Sequence, residues 1–387
     1  MTSPSGAGRS TDRVRLGIVG LGAVAQAVHL PLIERLRDAF SIQAFADLSP
    51  SLTAAIGERY SVPADRRFGT VAELAASGAI DALIILTSGS HGDAVVTGLD
   101  AGLPVFVEKP LAYTLAEAGA IERRLAEVDR RRLQVGYMKL YDPAVVRALE
   151  LARDRGLGRP RAIEVTVLHP TGEAQLAHAR LLPPAKDLPE TTRATLTETT
   201  DRLRTAALGD AAARVAGRVY SEILLGSVVH ELALVRAFSG DPTDIDGLVV
   251  WPDGTWPPSL ELTGRLPNDG RVSVRWHYLP DYAAYREEVR VVYETATIEL
   301  AFPSPYLLHR PTILRLTSSE AGGRNDGVWT STVEAFEEEL IGFHELVVAG
   351  RPPAAGLAEG RADIVTCQRA VAALCARLGV EIGGEAA

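Results

Sequence analysis

The sequence predicts an α/β domain built on a doubly wound parallel sheet, followed by an α+β domain with a large, mostly antiparallel open sheet. Over about the first 140 residues, short apolar runs alternate with helical patterns, as in a parallel sheet with helices on both faces. Strand-like runs joined mainly by turns then dominate, which is typical of an antiparallel sheet. We therefore assign residues 13–140 to the first domain and residues 141–380 to the second. Residues 1–12 are small and polar, and we expect them to be disordered.

A glycine-rich turn follows the first predicted strand. The apolar run 16–19 leads into the G-x-G-x-x-A sequence of residues 20–25 and then into a helical pattern. In a Rossmann domain the first glycine permits the tight turn, the second lets the backbone approach a pyrophosphate, and the small third residue lets the helix pack on the strand. The helix N-terminus adds free N–H groups. We predict a dinucleotide site that includes Gly20, Gly22, Ala23, Val24 and Ala25.

A carboxylate follows the second predicted strand. The apolar run 42–46 ends in Asp47, which lies 25 positions after Gly22. An acidic residue at this place in a Rossmann domain accepts hydrogen bonds from the adenosine ribose hydroxyls. The same carboxylate repels a 2′-phosphate, and residues 48–58 contain no basic side chain. We therefore predict NAD as the cofactor in preference to NADP; the alternative is that Asp47 is an ordinary loop aspartate.

The other elements of the first domain place further residues at one edge of the sheet. Ligands of doubly wound sheets bind at the carboxyl ends of the strands, so we expect Gly20, Thr87 and Lys109 to share that edge. The predicted strands cover residues 16–19, 42–46, 81–86, 104–107 and 133–136. The first predicted helix follows the glycine-rich turn and ends at about residue 37, and the later helices cover residues 51–59, 71–76, 91–101 and 114–129.

The second domain contains mostly predicted strands and one long polar stretch. Residues 184–215 are rich in Thr, Ala, Arg and Glu and are predicted to be helical. This stretch is interpreted as a lid, an oligomerisation arm or a simple insertion. The predicted strands cover residues 161–168, 247–251, 260–266, 271–278, 287–293 and 297–301, and the predicted helices cover 143–155, 220–238, 331–349 and 359–377.

Composition limits the classes of partner. The net charge of −9, without a large basic patch, argues against nucleic acid. No apolar run reaches the ~18–20 residues of a membrane span, and residues 1–12 lack the apolar segment of a secretory signal. Cys367 and Cys375 would lie ~12 Å apart on one helix, too far for a disulfide. No metal-ligand spacing is found, and a reduced, cytoplasmic setting fits these features.

The sequence Glu108-Lys109-Pro110 ends a predicted strand at the expected cofactor edge. A lysine beside a cationic, oxidised nicotinamide has a lowered pKa, and it can bind a substrate hydroxyl or act as an acid or base. The alternative is a surface lysine in a turn. His169 follows another predicted strand, and we consider it a candidate to line the substrate cleft.

Several segments resemble the glucose–fructose oxidoreductase/inositol dehydrogenase family (Gfo/Idh/MocA). VGLGAVAQAVHLP resembles the cofactor turn of this family, and AFADLSP resembles its second-strand acid. LTSGSHGDAVVTGLDAGLPVFVEKPLA resembles its most characteristic segment, in which His91 and Glu108-Lys109-Pro110 match residue for residue. VGYMKLYDPAV and FEEELIGFHELVVAGRPP resemble the exit from the nucleotide domain and the C-terminal helix.

The resemblance implies a two-domain NAD(P)-dependent oxidoreductase that moves a hydride to or from a sugar, cyclitol or related polyol carbon. It implies a cofactor site that includes Thr87, His91, Glu108 and Lys109, with Lys109 also the catalytic or substrate-orienting lysine. Tyr137 and Lys139 lie where members of the family place side chains that contact the substrate. A homo-oligomer, a dimer or tetramer, is also implied.

The second catalytic element of the family, D-x-G-x-H-x-x-D, is incomplete in this chain. His230 matches the histidine and is the second predicted catalytic residue, because its ordinary pKa is near neutrality. Gly226, Val228 and Ala233 replace the other three positions. Glu222 and Glu231 do not occupy the place of the missing aspartate on the helix.

Three functional hypotheses follow. The leading one is an NAD-dependent dehydrogenase or reductase acting on a CH–OH group of a sugar, amino sugar or cyclitol. The second is an enzyme that retains NAD and uses transient oxidation to drive elimination or epimerisation. The third is an NAD-binding sensor or regulatory subunit whose catalytic helix has decayed, and the presence of both Lys109 and His230 counts against it.

Overall fold

The computed structural model describes residues 13–128, 132–183, 185–320 and 322–387. Residues 1–12, for which disorder is predicted, lie outside the described residues. The two predicted sheets are both present, and the predicted fold class is confirmed.

The first sheet has six parallel strands in the order β3-β2-β1-β4-β5-β6. This is the doubly wound order, in which the chain reverses its direction of winding beside β1 and leaves a crevice at the carboxyl ends of the strands. The inner strands are almost wholly buried, because helices cover both faces. The strands are β1 (Val14–Val19), β2 (Phe40–Ala46), β3 (Arg67–Phe68), β4 (Ala82–Ile85), β5 (Val105–Glu108) and β6 (Leu133–Gly136).

The helices of the first domain begin at clear sequence signals. Thr70 and Thr114 each form a capping box with the glutamate three positions later, and Ser49 caps the helix that follows β2. A π-helical segment, Ala25–His29, leads from the glycine-rich turn into the first α-helix. The α-helices are α1 (Leu30–Arg35), α2 (Pro50–Arg59), α3 (Val71–Ala75), α4 (Gly92–Asp100) and α5 (Leu115–Glu127).

The second sheet has eight strands in the order β14-β13-β12-β11-β7-β10-β9-β8. Every neighbouring pair is antiparallel except β7 and β10, which are parallel. Residues alternate between buried and exposed positions along most strands, so one face packs on the core. The strands are β7 (Ala162–His169), β8 (Asp244–Trp251), β9 (Ser259–Arg265), β10 (Arg271–Tyr278), β11 (Arg286–Val292), β12 (Ala296–Phe302), β13 (Ile313–Glu320) and β14 (Gly323–Thr330).

The helices of the second domain join the two sheets into one unit. The last helix packs against α5 of the first domain and against β8 of the second sheet. Its buried side chains therefore belong to a core that continues from the first domain into the second. The α-helices are α6 (Pro143–Asp154), α7 (Gly172–Leu176), α8 (Glu190–Leu208), α9 (Asp210–Arg218), α10 (Val229–Ser239), α11 (Ala335–Ala349) and α12 (Leu357–Leu378).

The structure differs from the prediction at strands β13 and β14 and at the helix of residues 220–238. Strands β13 and β14 were not predicted; β14 reads GRNDGVWT and is exposed along almost its whole length, so it lacks the apolar alternation of a half-buried strand. The predicted helix 220–238 is a π-helical segment, Val219–Val228, followed by α10.

The helical prediction for residues 184–215 corresponds to α8 and part of α9. The predicted domain boundary at residue 140 falls between the 3-10 turn Met138–Leu140 and α6.

Candidate active site

The glycine-rich turn lies at the carboxyl end of β1. Gly20 has a φ of +86°, and a Cβ at this position would lie 2.7 Å from the backbone nitrogen of Thr87. Glycine is therefore required where the turn touches the end of β4. Gly22 and Ala23 are exposed, and a Cβ on Gly22 would meet no described atom within 4 Å. Ala25 is fully buried. The open backbone at the start of this helical stretch fits a pyrophosphate.

Asp47 is tied to this turn by its carboxylate. The backbone N–H of Leu21 donates to Oδ2 at 2.8 Å, and the backbone N–H of Ser49 donates to Oδ1 at 2.9 Å. An ionised carboxylate has about four lone-pair sites, so acceptor capacity remains for ribose hydroxyls. The half-buried Asp47 thus fits the adenosine side of a dinucleotide.

His91 joins the ends of β4 and β5. Its Nε2 lies 2.7 Å from the carbonyl oxygen of Thr87, and its Nδ1 lies 2.6 Å from that of Pro110. Burial lowers the pKa of His91, although the two carbonyl oxygens oppose the shift. A neutral ring donates to only one of them. The ring is buried between the ends of β4 and β5 and holds these two strand ends together at the edge of the crevice.

Glu108 is buried directly before the candidate catalytic lysine. Its Oε1 lies 2.9 Å from Nε2 of His29, which is fully buried. Burial alone would raise the pKa of Glu108, but the hydrogen bond from His29 and the positive charge of Lys109 hold it below its usual value. A buried, ionised carboxylate therefore directly precedes Lys109 in the chain.

Lys109 reaches from the end of β5 to the second domain. Its Nζ donates a hydrogen bond of 2.5 Å to the carbonyl oxygen of Gly226. Gly226 lies in the π-helical segment Val219–Val228, a type of segment that is frequent at functional sites. Burial lowers the pKa of Lys109 against the opposing influence of Glu108 and Glu231. The neutral amine is consequently more populated than in an exposed lysine, which suits proton exchange with a substrate hydroxyl.

His230 lies four residues after Gly226, in the first turn of α10. The ring is half-buried, and its Nδ1 is buried without a hydrogen-bond partner among the described residues. Burial, and then the positive charges of Lys109 and Lys139, lower the pKa of His230 well below its usual value. The ring is therefore neutral near pH 7, and a neutral imidazole can accept a proton.

Aromatic side chains of the second sheet form a wall beside this pair. The ring of His169 lies 5.0 Å from that of Trp276 and 5.8 Å from that of Tyr285. The indole N–H of Trp276 donates to Oγ of Ser227 at 3.0 Å. Burial lowers the pKa of His169, and the charge of nearby Lys109 contributes to the shift. The structure thus places His169, at the end of β7, in the neighbourhood of Lys109.

Lys139 lies in a buried charge cluster next to the cleft. Its Nζ donates to Glu231 Oε1 at 2.8 Å and to both oxygens of Glu287 at 2.6 Å. Tyr285 donates its hydroxyl to Glu287 Oε2 at 2.6 Å. One ammonium cannot neutralise two carboxylates, and burial raises the pKa of Glu231 to about 7. The Lys139 side chain is therefore directed to protein carboxylates.

Tyr137 is also directed to a buried partner. Its hydroxyl donates to the carboxylate of Asp363, which in turn accepts from Arg236. The Tyr137 side chain is fully buried and places its ring edge-to-face with His230 at 6.5 Å. The buried ring of Tyr137 therefore packs against the ring of His230.

Sequence reasoning missed the contacts that join the two domains beside Lys109. The Gly226 carbonyl carries no side-chain signal, and the Glu231–Lys139–Glu287 cluster combines three distant segments. The alternation in Arg275-Trp276-His277-Tyr278 does place Trp276 and Tyr278 on one face of β10, so the aromatic wall had a recognisable signal. Within the described residues, no group of three or more His, Cys, Asp or Glu side chains is arranged to hold a metal ion.

Comparison with known proteins identifies the first domain. Residues 14–137 match the family described as "Oxidoreductase family, NAD-binding Rossmann fold", GFO_IDH_MocA. The match to this oxidoreductase family covers the first domain of the chain. The chain is similar to inositol 2-dehydrogenase from Acidiphilium cryptum, with 32% identity over 160 residues, or 41% of this chain and 46% of that protein. It is equally similar to inositol 2-dehydrogenase from Agrobacterium fabrum, with 32% identity over 159 residues. The chain therefore matches just under half the length of these relatives.

Solved structures share the whole two-domain fold. Aldose-aldose oxidoreductase from Caulobacter crescentus has a TM-score of 0.70 at 18% identity, with 95% of this chain and 98% of that chain covered. Apo scyllo-inositol dehydrogenase from Lactobacillus casei has a TM-score of 0.67 at 15% identity, with 98% of this chain and 100% of that chain covered. At these identities the likeness concerns the fold alone. In the described part of the chain, none of the helices combines the length and apolar character needed to cross a membrane.

Proposed function

We propose that the protein is an NAD-dependent oxidoreductase that transfers a hydride between the nicotinamide and a carbinol or keto carbon of a sugar, amino sugar or cyclitol. One observation carries the proposal. Lys109, at the cofactor edge of the first sheet, is bonded to Gly226, four residues before His230 in the second domain. This contact supports a cleft at the end of the first sheet in which two groups able to exchange a proton would meet.

The cofactor would be held by residues at the ends of β1, β2 and β4. The backbone of residues 22–24 suits the pyrophosphate, and Asp47 suits the adenosine ribose. The carboxylate of Asp47 favours NAD over NADP. When bound, the nicotinamide supplies the acceptor or donor of the hydride.

Lys109 and His230 would manage the proton of the reacting hydroxyl. In the oxidation direction the hydroxyl loses a proton while its carbon loses a hydride, and the neutral ring of His230 or the neutral amine of Lys109 takes up that proton. The lowered pKa values of both groups favour these neutral forms. In the reduction direction the same groups return the proton.

The cleft has the composition expected for a polyol site. The half-buried rings of His169 and Tyr285 would offer surfaces to the C–H faces of a cyclic substrate, while Lys109 and His230 would offer polar groups to its hydroxyls. The names of the relatives, inositol 2-dehydrogenase, support a cyclitol or sugar. We also propose a homo-oligomer, a dimer or tetramer, in the reducing cytoplasm. The buried, unpaired thiols of Cys367 and Cys375 fit that compartment.

A substrate panel tests the proposal. The protein is incubated with NAD⁺ and a set of cyclitols, sugars and amino sugars, and NADH is followed by its absorbance. We expect turnover with at least one compound, and a loss of at least about 100-fold in Lys109→Met and His230→Asn. The exposed Arg123→Met and the sheet residue His277→Asn are matched controls that retain turnover.

The outcomes separate the hypotheses. Turnover that is unchanged in Lys109→Met would contradict the assignment of the site. Conversion of substrate without released NADH would favour the enzyme that retains its cofactor for elimination or epimerisation. Tight NADH binding without conversion of any compound would favour the sensor.

A further inference from the structure

A segment of the second domain lies against the cofactor side of the first. Residues 177–183 and 185–189 connect α7 to α8, and we call them the strap. The backbone N–H of Leu182 in the strap donates to Oε1 of Gln26 at 2.9 Å, while Nε2 of Gln26 donates to the carbonyl oxygen of Leu21 at 2.8 Å. The strap is therefore attached to the helix that begins at the glycine-rich turn.

A second attachment lies at the start of the helix that follows β2. Oδ1 of Asp187 accepts a hydrogen bond of 2.6 Å from Oγ of Ser49, and Oδ2 accepts one of 2.8 Å from the backbone N–H of Ser51. Ser49 is fully buried and also donates its backbone N–H to Asp47. The carboxylate of Asp187 thus caps α2 two residues beyond the acid predicted to bind the adenosine ribose.

This position is the one that a 2′-phosphate requires. In Rossmann domains the 2′-substituent of the adenosine ribose lies next to the acid that follows the second strand. The donors available there are the Ser49 hydroxyl and the N-terminal N–H groups of α2, and these are donors suited to an anion. In this chain, Asp187 already occupies both. A phosphate would meet a second carboxylate in addition to Asp47.

We propose that Asp187 is a specificity-determining residue that excludes cofactors carrying a 2′-phosphate. The strap supplies this charge from the second domain, so the preference for NAD does not depend on the first domain alone. The hydrogen bonds from Ser49 and Ser51 hold the pKa of Asp187 down at about 2, and the carboxylate is therefore ionised at all working pH values. The inference rests on the proposed function, because it concerns the cofactor of the same site.

Equilibrium titration of the full chain tests the inference. NADH and NADPH are titrated by cofactor fluorescence into the wild type, Asp187→Asn and Asp187→Ala. Adenosine 2′,5′-bisphosphate is used to displace bound NADH. We expect the wild type to prefer NADH, and Asp187→Asn to tighten NADPH and the bisphosphate by about fivefold while NADH changes little. Glu190→Gln, which removes an exposed charge three residues along the chain, is the matched control and leaves the preference unchanged.

The outcomes distinguish this inference from the proposed function. A wild type that prefers NADH, together with an unchanged preference in both Asp187 variants, would overturn the role of Asp187 and leave the proposed function intact. An equal tightening of NADH and NADPH in Asp187→Asn would also overturn it, since the strap would then act as a simple cover. A wild type that binds neither dinucleotide would overturn the proposed function, and the role of Asp187 with it.

Discussion

The Nζ of Lys109 lies 2.5 Å from the carbonyl oxygen of Gly226, and this hydrogen bond joins the nucleotide-binding sheet to the helix that carries His230. The family pattern has an aspartate at the position of Gly226. In this chain the lysine donates to a backbone carbonyl, and the residue that carries this carbonyl has no side-chain carboxylate. A dipole stabilises an ammonium less than a carboxylate does, which agrees with the lowered pKa of Lys109.

Gly226→Asp should shift the pH dependence of turnover. A Cβ at this position meets only the carbonyl oxygen of Ser221 among the described residues, at 3.4 Å, so a side chain fits. A carboxylate beside Lys109 would raise its pKa, and the pH at which oxidation reaches half its maximum should rise by about one unit. Gly226→Ala is the control: it should leave the pH profile in place and raise the free energy of unfolding by about 0.5–1 kcal/mol, because alanine is favoured over glycine in a helix. A profile that moves equally in both variants would contradict this account of Lys109.

Lys139→Met should strongly destabilise the protein. The substitution leaves Glu231 and Glu287 buried without their cation, and removing one partner of a buried ion pair costs about 3–5 kcal/mol. The double variant Lys139→Met/Glu231→Gln should recover part of this loss, because only one carboxylate is then left unpaired. Urea unfolding measures both. Arg286→Met, which breaks the exposed pair with Glu288, should change the free energy of unfolding by less than about 1 kcal/mol. A similar, small effect in Lys139→Met would show that Lys139 does not hold the cluster.

Glu231 should make the stability fall as pH rises towards neutrality. Burial raises its pKa from 4.5 to about 7, so the folded protein holds this proton more tightly than the unfolded chain. The resulting stabilisation is complete below pH 4.5 and is lost as pH rises through 7. The free energy of unfolding of the wild type, relative to Glu231→Gln, should decrease across this interval and then level off. Denaturant unfolding at a series of pH values measures the difference, with the exposed Glu122→Gln as control; a difference that is flat or increases with pH would contradict the burial argument.

Tyr137→Phe distinguishes a buried support from a substrate contact. The hydroxyl donates to Asp363, which also accepts from Arg236, and burial raises the pKa of Asp363 to about 6. Removing the hydroxyl leaves a buried acceptor with one partner fewer, at a cost of about 1–3 kcal/mol in the free energy of unfolding. KM for the substrate should stay within about twofold, since the hydroxyl does not face the cleft. An increased KM with unchanged stability would instead assign Tyr137 to substrate binding.

The sequence was most informative where chemistry and local structure coincide. Gly20, Gly22 and Ala25 could be assigned from their spacing because each position of the turn has its own steric requirement. Lys109 could be placed at the cofactor edge of the first sheet because the carboxyl ends of parallel strands meet on one side. Six strands of the second sheet were predicted from their residues, whereas β13 and β14 were missed; β14 is exposed on both faces and lacks an apolar alternation.

The contacts that complete the site depend on tertiary structure and could not be read from local patterns. Lys139 and Tyr137 were predicted to contact the substrate, whereas in the structure their polar atoms face Glu231, Glu287 and Asp363. These partners are separated from them by 92 to 226 positions, and neither spacing nor periodicity indicates such pairings. The strap residue Asp187 falls within the stretch for which the sequence left a lid, an arm and an insertion open.

Hydride transfer itself provides the most direct test of the central claim. The polyol that supports turnover is prepared with deuterium on the reacting carbon and is mixed with NAD⁺ and the protein in excess, and the nicotinamide is recovered for mass spectrometry after a single turnover. We expect one deuterium in the reduced nicotinamide for each keto product formed, and transfer at least about 100-fold slower in Lys109→Met. Keto product without deuterium in the cofactor, or transfer at the wild-type rate in Lys109→Met, would contradict the central claim.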